Sequence, residues 1–226
     1  MKTICKIFLS VVLLIFCHQS GFAGVIIGGT RLIYEGDRKE VSMSVTNPDN
    51  VAYLIQSWIE PEQTSNAPQP FVITPPLFRL DSEQKNIFRV IRIADLPKDR
   101  ESLFWLNIKS IPATKVETSN VLQMAVKIRI KLIYRPPGLL NNIPETYIKK
   151  LEWKRVGNNL EIINPGAYYI NFNHIAISGV SLNDVSYIAP FGSVRFALPE
   201  KNDSDTIVYE IINDYGGVSK SFTAKI

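Results

Sequence analysis

Residues able to do chemistry are sparse in this 226-residue chain, and those present do not converge. Its two histidines are His18 and His174, and its two cysteines are Cys5 and Cys17. Cys5, Cys17 and His18 all fall in an apolar leader, which leaves His174 alone in the alternating run Tyr168–Ile177. A lone strand histidine with no second histidine or cysteine nearby reads as a packed or surface residue, not a metal ligand. Gly28-Gly29-Thr30 is too short for a phosphate loop and lacks the Gly-x-x-x-x-Gly-Lys spacing. Glu60 and Glu62 are spaced like paired carboxylates but have no further group to define general acid–base work. Nucleophile-elbow, calcium-loop and zinc spacings are absent from the sequence. The reading is therefore not an enzyme, with no catalytic residue, no metal site and no cofactor. What stands out instead is a concentration of basic residues, Lys127, Arg129 and Lys131, on one strand.

Those cations sit in the stretch that organises the chain, Val121–Pro136, VLQMAVKIRIKLIYRP. Leu122, Met124, Val126, Ile128, Ile130 and Leu132 alternate with Gln123, Ala125, Lys127, Arg129 and Lys131. Successive strand side chains point to opposite faces, so this is a two-faced β-strand; a fully apolar face at period two makes no stripe at period 3.6. Strands usually run about 5–6 residues, so six apolar side chains in strict alternation exceed what one small sandwich needs. Two readings stand side by side. One is a long core strand leading into a second domain. The other offers part of the apolar row to a partner by strand addition.

Residues 1–23 have the form of a secretory signal: Lys2 and Lys6, the apolar run Ile7–Phe16, and Gly21-Phe22-Ala23 as a small-x-small cleavage site. The run is too short for a spanning helix, and no later stretch is apolar enough, so the product is expected to be exported and not membrane-embedded. A mature chain from Gly24 would have no cysteine and hence no disulfide. Removing Lys2 and Lys6 lowers the formal charge of +4 by two, too mild a balance to imply nucleic acid.

Short β-like runs then follow one another: Val25–Ile27, Arg31–Tyr34, Val41–Thr46, Tyr53–Ile59, Phe71–Ile73, Asn86–Ile93 and Leu103–Ile108, before the long strand. After a Pro136-Pro137-Gly138 linker come Tyr147–Trp153, Asn159–Ile163, Tyr168–Ile177, Val185–Ile188, Ser193–Leu198, Thr206–Ile212 and Ser219–Ala224. Regular strands separated by turn signals predict an all-β sandwich or barrel. The expected divisions are 1–23, a first domain over 24–142 and a second over 143–226.

Leu96–Ala113, LPKDRESLFWLNIKSIPA, resembles the signature of the PapD-like periplasmic pilus-assembly chaperones. Thr74-Pro75-Pro76 with Arg79-Leu80, Ile130-Lys131-Leu132 with Tyr134-Arg135-Pro136, Asn164-Pro165 with Tyr168-Tyr169, and Ile212–Gly217 agree with it. The resemblance covers the whole mature chain. It implies two immunoglobulin-like β-sandwich domains at an angle with a cleft between them. It implies a periplasmic chaperone that caps pilus subunits by donor-strand complementation and passes them to an outer-membrane usher, without nucleotide hydrolysis.

By the same resemblance, Leu122, Met124 and Val126 match donor residues, with Ile128 extending the row. Arg31 and Lys131 match a cleft pair that holds the subunit's terminal carboxylate. An end anchor is physically needed, because a two-faced strand can slip by two residues and keep its apolar face. Glu101, Arg135 and Asp214 match a charge network joining the domains. The short loop Pro112–Asn120 is similar to those of chaperones that assemble rod-like fimbriae. An apolar row of this length also invites self-capping oligomers of the free chain. Lys131 has the opposite parity to Leu122, so a twist, a bulge or wrapping of the cleft is expected to reconcile the two roles. The alternatives are a secreted structural or adhesive fibre component, with Gly24–Thr30 as a short polymerising tail, and an exported enzyme on a sandwich scaffold.

Overall fold

The computed structural model describes residues 24–62, 68–113, 123–140, 146–198 and 205–226. The leader, Leu122, the loop after Ala113 and the 142/143 boundary lie outside them. The first domain contains β1 (Ile26–Ile27), β2 (Arg31–Glu35), β3 (Glu40–Thr46), β4 (Tyr53–Pro61), β5 (Phe71–Thr74), β6 (Leu77–Leu80), β7 (Lys85–Arg92), β8 (Ser102–Pro112) and β9 (Val126–Arg135). They form one sheet ordered β1-β3-β7-β5 and a second ordered β2-β9-β8-β4-β6. The alternate apolar residues of both sheets meet between them, including Leu32, Tyr34, Val45, Ile55, Phe88, Leu106 and Leu132. Period-two patterning is what allows each sheet to bury one face this way.

The second domain contains β10 (Glu152–Val156), β11 (Asn159–Ile163), β12 (Ile170–Ile177), β13 (Val180–Ser181), β14 (Tyr187–Ile188), β15 (Ser193–Ala197), β16 (Thr206–Ile211) and β17 (Phe222–Lys225). A β10-β11-β15 sheet faces a β13-β12-β16-β17 sheet, to which β14 adds by pairing with β12. Trp153, Leu160, Phe172, Ile175, Ile207 and Tyr209 are among the side chains that fill this core. The linker makes a single 3₁₀ turn, Pro137–Leu139, and the Leu139 carbonyl accepts from Tyr168 Oη at 2.8 Å.

The structure corrects three local expectations. Tyr147–Trp153 is not a strand: Ile148–Lys150 is a 3₁₀ turn, and the strand begins at Glu152. The apolar Ile148 and Leu151, three apart, bury together as a turn places them, which period-two reading overlooks. Leu77–Leu80 is a strand that the preceding prolines obscured; it pairs with β4 through Tyr53↔Leu80 to Gln56↔Leu77. The long strand starts at Val126, where pairing with β8 begins, rather than at Val121.

Candidate functional site

The site is built on the two edges of β9. On one side β9 pairs antiparallel with β8, from Val126↔Ser110 to Tyr134↔Ser102. On the other it pairs parallel with β2, but only from Lys131↔Arg31 to Arg135↔Glu35. Val126–Ile130 therefore present an edge with no strand partner among the described residues. Open backbone N–H and C=O groups of this kind template strand addition.

The apolar row changes environment along that edge. Leu132 is sealed in the first core, Ile130 is 8% exposed, and Ile128 packs half-buried against the same core. Val126 is 52% exposed and Met124 70%. One face of one strand thus fills its own domain at one end and stands in solvent at the other.

The opposite face carries the cations. Pairing with β8 runs without a register break from Val126 to Tyr134, so neither a bulge nor a slip turns Lys131 toward the cleft. Of the expected ways to reconcile the two roles, wrapping of the cleft is the one consistent with this unbroken register. Even-numbered side chains face the first core, odd-numbered ones face away, and the second domain covers the odd face from Lys131 onward. Lys131 Nζ donates to Asn171 Oδ1 on β12, and lies 4.2 Å from the centre of the Tyr187 ring on β14. Arg31, its register partner, donates from Nη1 to the Ile212 carbonyl at 3.4 Å, while its Nε is buried with no partner. Burial first, then the charge of Arg31, pushes Lys131 down to about 8, and Glu62 only partly offsets this. Burial also lowers Arg31, against the pull of Asp214. Two adjacent, partly buried cations in a cleft carry N–H donors of the kind that form charge-assisted hydrogen bonds with carboxylates.

Beyond them the two domains are clasped. Arg135 donates from Nε to Glu101 Oε1 at 2.7 Å, and from Nη1 and Nη2 to Asp214 at 2.7 and 3.0 Å. Glu101 Oε2 accepts the Tyr169 backbone N–H at 2.7 Å, and the Glu101 N–H donates to the Ala167 carbonyl at 2.9 Å. Burial pushes Glu101 up to about 7 against the pull of Arg135. Burial opposes the Arg135 charge, but its two carboxylate partners outweigh it and hold the guanidinium upward. Leu103 and Ile133 add an apolar contact with Tyr169.

The structure also assembles residues that sequence patterns did not single out for this site. Glu62, at the end of β4, accepts the Tyr169 hydroxyl at 2.9 Å and the Tyr187 hydroxyl at 2.7 Å, both from the other domain. Its supposed partner Glu60 instead accepts from Trp58 Nε1 at 2.9 Å and lies 3.5 Å from Arg129. Lys127 and Arg129 lie over the Trp58 and Trp105 rings, outside the cleft cluster. The Tyr168-Tyr169 pair was the one available signal for this clasp; Asn171 and Tyr187 carried none. His174 contacts Ser181 Oγ at 2.8 Å on an exposed face. Among the described residues no group of His, Cys, Asp or Glu is placed to hold a metal ion, and no helix is long and apolar enough to cross a membrane.

Family models match both domains: the N-terminal domain of the PapD pili and flagellar-assembly chaperones over residues 24–140, and the PapD C-terminal domain over 146–223. The chain belongs to the PapD pilus-assembly chaperone family. It is 38% identical over 225 residues to a probable fimbrial chaperone, LpfB, of Escherichia coli O157:H7, covering 97% of this chain and 96% of that protein. The E. coli chaperone DraB superposes with a TM-score of 0.80 at 37% identity, over 90% of this chain and 96% of that one. The SafB chaperone of Salmonella enterica, solved in complex with the SafA pilin, gives a match at TM-score 0.82 and 31% identity, over 92% and 99% of the two chains. The likeness spans both sandwiches and the cleft between them, as expected of two angled immunoglobulin-like domains. A PapD-family chaperone, not a fibre component, is what both halves of the chain match.

Proposed function

We propose that this chain is a periplasmic chaperone that captures pilus subunits by lending them its own strand and delivers them to an outer-membrane usher. Residues 1–23 export it, and the working protein comprises a first domain over 24–142 and a second over 143–226. Leu122, Met124 and Val126, with Ile128 at the inner end, insert into the apolar groove of an incomplete subunit. Each side chain that becomes fully buried contributes roughly 1.5–3 kcal/mol. The subunit's edge pairs with Val126–Ile130, satisfying backbone groups on both chains at once.

The observation that carries this reading is where the open edge stops. β2 occupies the edge from Lys131 onward, so an added strand must end beside the Arg31–Lys131 pair. The pair receives the subunit's terminal carboxylate and thereby selects one register among those that period two allows. Glu101, Arg135 and Asp214 hold the domains at the angle that keeps the cleft open. The SafB chaperone's solved complex with a pilin supports the choice of subunit class.

Periplasmic co-expression with a neighbouring fimbrial subunit tests the reading. Wild type is expected to yield a soluble one-to-one complex, and folded Arg31→Ala/Lys131→Ala is expected to lose it. A complex of undiminished yield with the folded double variant would overturn the anchoring role.

A further inference from the structure

Lys131 is held from the second domain by groups whose chemistry suits an anchor and not a structural ion pair. Its ammonium donates to a neutral amide oxygen, Asn171 Oδ1, and has no other hydrogen-bond acceptor among the described residues. Asn171 is 6% exposed, and its side chain is fixed by burial on β12. The Tyr187 ring closes a second direction at 4.2 Å, and the Tyr187 hydroxyl is tied to Glu62 at 2.7 Å. Glu62 is tied in turn by Tyr169 at 2.9 Å, so the ring cannot turn freely. A carboxylate in place of Asn171 would neutralise Lys131 inside the protein. An amide satisfies one of its donors and leaves its charge available.

We propose that Asn171 and Tyr187, with Glu62 bracing the tyrosine, are positioning residues that hold the Lys131 ammonium toward an incoming carboxylate. The second domain then contributes to capture directly, in addition to walling the cleft. The inference rests on the reading of Arg31 and Lys131 as a carboxylate anchor. Two substitutions at one position separate aim from fold. Asn171→Leu removes the acceptor and frees the ammonium. Asn171→Asp supplies an internal counter-charge at the place where the amide oxygen now sits.

The test uses the mature two-domain protein and a synthetic strand peptide of alternating valine and threonine, made with a free carboxyl terminus and as its carboxyl-terminal amide. Wild type is expected to prefer the acid over the amide. Asn171→Leu is expected to lose that preference by about tenfold, the size of one hydrogen bond to a charged group. Asn171→Asp is expected to abolish the preference while raising the chaperone's thermal stability, a pairing that a merely structural residue would not give. A wild-type preference retained in full by both folded variants would overturn the positioning role and leave the anchor intact. Equal binding of acid and amide by wild type would overturn the anchor, and the positioning role with it.

Discussion

Raising the pH from 7 to 10 is expected to weaken capture of a carboxylate-ended strand through deprotonation of Lys131. In the free protein, burial and Arg31 push Lys131 down to about 8 from its ordinary 10.5. A bound carboxylate adds an opposite charge and moves that group back up. Below pH 8 both free and bound states carry the proton, and affinity is flat. Above it the free protein has lost a proton that the complex must regain, so affinity falls with rising pH until the bound group also titrates. Full recovery to the ordinary value would weaken binding about a hundredfold by pH 10, and solvent screening of a partly exposed side chain reduces this to about tenfold. Glu101, pushed up to about 7 by burial, also ionises at the lower edge of this window, so the contrast between acid and amide peptides and the Lys131→Arg profile are what isolate Lys131. Arg31 stays charged, and burial with the Glu62 charge pushes Tyr169 and Tyr187 well above their usual range. Fluorescence anisotropy with acid and amide forms of one strand peptide reads the effect. The acid should show the fall, and the amide should not. Lys131→Arg should flatten the acid profile, because a guanidinium holds its proton throughout. An acid profile that stays flat to pH 10 in folded wild type would refute the assignment of an underneutralised ammonium to the capture site.

Other perturbations bear on separate parts of the structure. Val126→Asp or Met124→Asp should abolish subunit capture while changing urea stability by less than about 0.5 kcal/mol, because both side chains already stand in solvent. Arg135→Ala should cost about 3–5 kcal/mol in denaturant unfolding, because it strands the buried Glu101 carboxylate. Asp214→Asn, which leaves that pair in place, should cost less stability while broadening the scattering profile through looser domain docking. Gly216→Ala should destabilise the domain contact: Gly216 has φ of 84°, and a Cβ there would sit 2.3 Å from Thr30 Oγ1. A melting temperature matching wild type would rule out that close approach.

The alternation of Val126–Leu132 determined a two-faced strand, and the signature around Leu96–Ala113 determined the family, because period-two chemistry and a dense motif are local properties. So were the short strands and the cations available for pairing. Alternation names two faces without saying what each one meets. Only the fold decided that the even face passes from core at Leu132 to solvent at Val126, on the part of β9 that β2 does not pair. Only the parallel pairing of β2 with β9 set Arg31 beside Lys131 and closed the edge at that point. The Glu62–Tyr187 clasp and the Asn171 acceptor likewise arise from two domains folding toward one another. Their residues lie far apart in sequence, and a hydrogen bond depends on positions in space, which neither spacing nor composition records.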